Sequence, residues 1–138
     1  MTLNKRAANA YRNVEVSSAV PYADSVQLIQ MLFDGLIASL SDAEGHFERN
    51  DIKGKNESIG KANKIIIGLQ SALDFEKGKE LAQNLSELYD YCIRRLLKAN
   101  IRNDVDGIVE VKGLMKEISD AWNLVPQLLD DPDVSMAS

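Results

Sequence analysis

Residues 22–125 contain no proline, although Pro21 and Pro126 stand immediately on either side. Proline breaks helix interiors and confines strands to sheet edges. A long stretch without it, rich in Leu, Ile, Ala, Lys and Glu, leaves both options open. The apolar residues decide between them. No segment alternates cleanly over several residues, as a half-buried strand would. The 3.6-residue period of an amphipathic helix appears four times.

The first helix is expected to run from Asp24, an N-cap residue by its chemistry, to about Glu48. Asn50-Asp51 and Lys53-Gly54 read as a turn, and a second helix follows over about 56–74. Lys77-Gly78 closes that region, as a glycine after a helix often does. A third helix covers about 79–100. After a turn from Asn100 to Asn103, Asp104 caps a fourth over about 105–125, which Pro126 stops. Helices of this length, each roughly 30 Å, on short connections pack antiparallel to their neighbours. The expected fold is all-α: an antiparallel up-down four-helix bundle over residues 24–126. Residues 1–23 form a flexible N-terminal arm, extended or partly helical. Residues 127–138 form an acidic, disordered tail carrying Asp130, Asp131 and Asp133.

Placed at 100° per residue, the fourth helix gathers Ile108, Val111, Met115, Ile118 and Trp122 on an arc of roughly 140°. The second gathers Ile59, Ala62, Ile66 and Leu69 on a similar arc, with Ile67 outside it. The first and third helices are different. Apolar residues from Val26 to Phe47 cover about half the circumference of the first, with Met31 beyond. The third is as broad, from Leu81 to Leu97, and Tyr91 lies outside its arc. Two helices therefore carry more apolar surface than one seam uses. Either they sit deeper than the others, or a strip is left for a partner or for the arm. Five glycines inside the expected helices, at 35, 60, 68, 107 and 113, each cost about 0.5–1 kcal/mol relative to alanine.

Chemistry is sparsely represented. The 138 residues hold one cysteine, Cys92, and one histidine, His46. Cys92 lies among Leu88, Tyr89 and Leu96, where a core thiol is the simpler reading than a nucleophile. Glu44 and His46 are two apart and point to different helix faces, so the Glu-x-x-His spacing of bundle metal sites is missing. The aspartates of the tail do not continue into a calcium-loop pattern. Asp24-Ser25-Val26 resembles an attachment serine of a carrier domain over three residues only, and capping explains Asp24. No catalytic residue, cofactor or metal site is expected.

The balance of 16 basic against 21 acidic residues, net −5, argues against non-specific nucleic-acid binding. One cysteine excludes an intramolecular disulfide and fits a reducing compartment. The N-terminal MTLNKRAANAYRN has no apolar core of a signal peptide, and no apolar run approaches a membrane span. A cytoplasmic protein without membrane insertion is expected. Three classes stay open: a binding module built on the apolar strip, a small carrier or enzyme using Ser25 or Cys92, and a structural dimer whose broad faces pack together.

Leu28-Ile29-Gln30-Met31-Leu32-Phe33-Asp34-Gly35 resembles the first-helix signature of the flagellin-specific export chaperones, the FliS family. The resemblance continues through Gly60-Lys61-Ala62, Glu76-Lys77-Gly78 and Leu81-Ala82-Gln83-Asn84-Leu85. It ends with Leu88-Tyr89-Asp90-Tyr91, Ala99-Asn100, Asn103-Asp104 and Ala121-Trp122, covering roughly residues 9 to 125. Two positions depart from the family pattern. Asp24-Ser25 stands where Ser-Pro usually opens the first helix, and Lys79 stands where a second glycine commonly follows the Glu-x-Gly turn.

The resemblance implies a cytosolic bundle without catalytic activity that binds the C-terminal segment of flagellin, prevents its early polymerisation and delivers it to the flagellar type III export gate. It implies an arm that covers part of the apolar surface when no client is bound, with Tyr11 at the position of a family tyrosine. The candidate partner-binding residues are Tyr11 and Val14 in the arm, Ile29, Phe33 and Ile37 on the first helix, and Tyr89, Ile93 and Leu96 on the third. Ile67 and Tyr91 are candidate outer contacts. Each is equally readable as bundle core, since a wheel does not separate seam from groove. A homodimer in the client-free state remains an option.

Overall fold

The computed structural model describes the backbone of residues 22–124 and the side chains from Val26 onward. Tyr11, Val14, the remainder of the expected arm up to residue 21, and the tail from residue 125 lie outside the described residues. Four helices follow one another: α1 (Tyr22–Glu48), α2 (Ile52–Ser71), α3 (Phe75–Arg102) and α4 (Val105–Asn123). α1 packs on α2 and α4, and α3 closes the ring on the same two. α1 and α3, the two helices with the broad apolar arcs, are therefore the diagonal pair. This is the expected up-down bundle.

Aspartate begins three of the four helices. The side chains of Asp51, Asp74 and Asp104 accept hydrogen bonds from the backbone N–H groups of Gly54, Lys77 and Asp106. Each such cap satisfies an orphan donor of the first turn and contributes about 1 kcal/mol. Asp104 is where the spacing placed it. Asp51 moves the start of α2 four residues earlier than expected, because Lys53-Gly54 belongs to the capped first turn, not to the loop. Gly54 suits that turn sterically: a Cβ there would stand 2.4 Å from the His46 ring and 2.6 Å from the Asp51 carboxylate. α1 also starts earlier than expected, at Tyr22, so Asp24 lies within its first turn.

The ends are closed by left-handed residues. Asn50 and Asn103 have φ of 57° and 52°, a conformation asparagine tolerates better than other non-glycine residues. Asn103 is the C-cap of α3, its N–H returning to the carbonyls of Ala99 and Asn100.

The interior is continuous across the four helices. Ile29, Phe33, Leu36 and Leu40 of α1 meet Ile59, Ile66 and Leu69 of α2, Tyr89 and Leu96 of α3, and Ile108, Val111 and Met115 of α4. Trp122 closes one end. Its indole N–H donates to the Val26 carbonyl at 3.0 Å in a buried setting. Gly107 lets α4 come close to α3, since a Cβ there would lie 2.7 Å from the Ala99 side chain. Among the described residues no helix is long and apolar enough to cross a membrane.

One local conformation is strained. Asp74 caps a short turn from Phe75 to Gly78, and the chain then breaks at Lys79, with φ 49° and ψ −123°, before α3 continues. The sequence put a stop at Lys77-Gly78, and the break lies one residue further on. A residue with a Cβ occupies this region at a cost of order 1–3 kcal/mol, which glycine avoids. Lys79→Gly is expected to raise stability by about 1 kcal/mol and Lys79→Ala to leave it nearly unchanged. Urea unfolding of the three proteins, with equal m-values, checks this.

Candidate functional site

The seam between α2 and α3 is held by polar side chains at its two ends. At one end Lys55, only 4% exposed, donates through Nζ to the Asn103 side-chain oxygen at 2.8 Å and the Asn100 carbonyl at 3.3 Å. A cation suits that place because the last carbonyls of α3 carry the negative end of its dipole. At the other end Gln70 Nε2 donates to Asp90 at 2.8 Å, the Ser86 carbonyl at 3.0 Å and the Ser86 hydroxyl at 3.2 Å.

Between these clamps the seam carries apolar and unsatisfied groups. Asn63 lies two helical turns before Gln70 on the same edge of α2, and Ile67 lies between them. On α3, Leu97 and Ile101 follow Asp90 at seven and eleven residues, the spacing of one helix face. Ile67 and Leu97 are half exposed at 48% and 49%, Ile101 is 84% exposed, and Ile93 is half-buried beside them. The side-chain oxygens of Asn63 and Asn100 are buried and have no hydrogen-bond partner among the described residues. An amide acceptor in that condition costs about 1–3 kcal/mol. The arrangement is an apolar row with two hydrogen-bonding groups at its floor.

The structure sorts the candidate residues. Ile29, Phe33, Tyr89 and Leu96 are fully buried, because they sit at the centres of the α1 and α3 arcs and point to the bundle axis. Ile37 is half-buried. It shares an edge of α1 with Glu44, two turns on, which pairs with Lys112 of α4 at 3.2 Å. Ile67 is exposed on the edge of α2 that carries Gln70, and Ile93 is half-buried on α3. Tyr91 is exposed on the other edge of α3, where its hydroxyl donates to Glu110 of α4. Arg95 bonds the same carboxylate at 2.9 Å, and the two donors, Tyr91 foremost, hold Glu110 below the usual carboxylate range. Leu97, Ile101, Asn63 and Asn100 were not singled out. Their signal was available for Leu97 and Ile101, which fall at or beyond the rim of the α3 arc.

Nothing in this arrangement activates a nucleophile. Burial pushes the Cys92 thiol up to about 11, so it stays protonated at neutral pH. His46 lies between Asp51 at 3.0 Å and Arg49 at 3.2 Å, inside the α1–α2 turn. Among the described residues no group of three His, Cys, Asp or Glu side chains is placed to hold a metal ion. The side chain of Ser25 lies outside the described residues.

Comparison with known proteins gives a consistent result. The family model described as flagellar protein FliS matches residues 7–128. The flagellar secretion chaperone FliS of Salmonella typhimurium is 52% identical over 117 residues, covering 84% of this chain and 87% of the relative. That of Escherichia coli is 46% identical over 131 residues, covering 92% and 96%. The flagellar secretion chaperone FliSB of Pseudomonas aeruginosa is 42% identical over 118 residues, covering 86% and 94%.

The clamp makes a prediction of its own. Lys55→Met leaves the Asn100 carbonyl and the Asn103 amide without their buried donor, and stability should fall by about 1–3 kcal/mol. Amide exchange at Asn103 and Asp104, which close the end of α3, should accelerate more than exchange at Trp122. Uniform acceleration throughout the bundle would show that Lys55 is no local clamp.

Proposed function

This chain belongs to the FliS family of flagellar proteins, and from that premise we propose that it is a flagellar secretion chaperone whose client is the C-terminal segment of flagellin. The observation that carries the reading is the apolar row Ile67, Ile93, Leu97 and Ile101 along the α2–α3 seam. A segment that polymerises through apolar contacts has to be covered before export. This row covers it without chemistry. A client ordered only on binding loses several kcal/mol of conformational freedom, so the contact must be long. A row that spans the seam supplies that length.

In this reading Ile37, Ile67, Tyr91 and Ile93 are the accessible members of the candidate set. Ile29, Phe33, Tyr89 and Leu96 are buried in the core and act through packing. Tyr11 and Val14, in the segment that precedes α1, are proposed to compete for the same row when the client is absent. The protein acts in the cytoplasm as a binding protein, not an enzyme. It holds flagellin apart from other copies and hands it to the export gate of the flagellar type III apparatus. Two empty chains that cover each other's rows are the alternative occupancy, and light scattering over a range of concentrations separates that case.

The test is a calorimetric titration of the full chain with a peptide spanning the C-terminal segment of flagellin from the same host. Micromolar or tighter binding with a negative heat-capacity change is expected. The variant Ile67→Asp with Leu97→Asp changes two half-exposed residues, so circular dichroism should show an intact bundle. Its affinity should fall at least about tenfold, on the order of 1.4 kcal/mol. Binding that the folded variant keeps removes this groove, and no binding by the parent chain removes the client.

A further inference from the structure

α3 has a second row beside the apolar one. Arg94, Lys98 and Arg102 recur at four-residue spacing, and all three are exposed. With Tyr91, Arg95 and Asp104 they line a shallow depression of about 420 Å³. The acids around it are occupied. Asp104 and Glu110 pair with Arg95 at 3.4 and 2.9 Å, and Asp90 accepts from Gln70. Arg94, Lys98 and Arg102 form no ion pair among the described residues. Three free cations in line, in a chain of net charge −5, are a local reversal of sign.

The position of the row matters as much as its charge. Arg94 precedes Leu97 by three residues and Ile101 by seven, so it borders the apolar row directly. Lys98 and Arg102 each follow a member of that row, Leu97 and Ile101, by one residue, about 100° further round α3 toward α4. The outward surface of α3 is thus apolar toward α2 and cationic toward α4, and a segment seated on the apolar row has one flank along the cations.

Resting on the chaperone reading above, we propose that Arg94, Lys98 and Arg102 select the client by charge: the bound segment presents acidic side chains along one flank of its apolar row. The apolar row supplies the contact that any exposed apolar segment would make. The cationic row supplies direction and discrimination, because a segment seated in reverse, or one with basic flanks, brings like charges together. Exposed pairs are individually weak, and three acting together are worth about tenfold in affinity.

The experiment uses the full chain and the flagellin C-terminal peptide, with a second peptide in which Asp and Glu are replaced by Asn and Gln. Affinity of the parent chain for the native peptide should fall as salt rises from about 50 to about 300 mM, where charges are screened within a few ångströms. The variant Arg94→Glu, Lys98→Glu, Arg102→Glu should bind the native peptide at least about tenfold more weakly at low salt. It should bind the neutral peptide as the parent does. Equal binding of the native peptide by variant and parent overturns the proposal while leaving the groove in place. If Ile67→Asp with Leu97→Asp binds normally and the charge variant does not, the apolar groove fails and the cationic row stands. A charge variant that changes self-association of the empty chain but not client affinity assigns the row to a second copy and overturns the proposal.

Discussion

The spacing of α2 and α3 depends on Lys55. Its ammonium is almost wholly buried, yet its partners are neutral oxygens at the end of α3. A buried ammonium is tolerated only where hydrogen bonds and favourable dipoles replace its hydration. The last turn of α3 provides both, so the start of α2 and the end of α3 are fixed to each other. Gln70 does the same at the far end with three acceptors. The two helices are thus tied to each other by polar groups at both ends of the seam. Along that seam Ile67 and Leu97 stay half exposed, and the Asn63 and Asn100 side-chain oxygens have no hydrogen-bond partner among the described residues.

The rest of the bundle supports that seam. α1 lies diagonally across from α3, and its apolar arc fills the interior with Ile29, Phe33, Leu36 and Leu40. The bond from Trp122 to the Val26 carbonyl ties the end of α4 to the start of α1. A rigid interior of this kind keeps the surface row in one arrangement before a client arrives, and a preorganised surface loses less freedom on binding. The network of Tyr91, Arg95, Glu110 and Asp104 holds α3 to α4. It also consumes the nearest acids, which is why the neighbouring cations on α3 remain available.

Much of this was legible in the residues. Period and the absence of proline specify four helices, and Asp104 marks the start of the last. The wheels put Ile67, Met31 and Tyr91 outside their arcs, and all three are exposed. Asp51 was read as part of a turn because Lys53-Gly54 looks like a breaker. In the structure the Asp51 side chain caps the helix that contains them. Lys79 shows the converse case: a residue with no turn propensity holds a glycine-like conformation because Asp74 and the continuing helix on either side impose it. The candidate contacts divided by position in the arc. Ile29, Phe33, Tyr89 and Leu96 lie at arc centres and face the axis, whereas Ile93 lies near a rim and Ile67 outside its arc.

The sequence by itself determined the number of helices, their order, the faces they bury and the family. Those properties follow from local periodicity and from residues quoted in order, and neither needs a neighbour in space. Only the tertiary structure decided which apolar residues are core and which are surface. That distinction depends on where the adjacent helix lies, and α2 is tied to α3 by Lys55 and Gln70 reaching residues up to 48 positions away. The same holds for the free cations of α3. A run of charges is a solvated face until the acids that neutralise some of them are located in space.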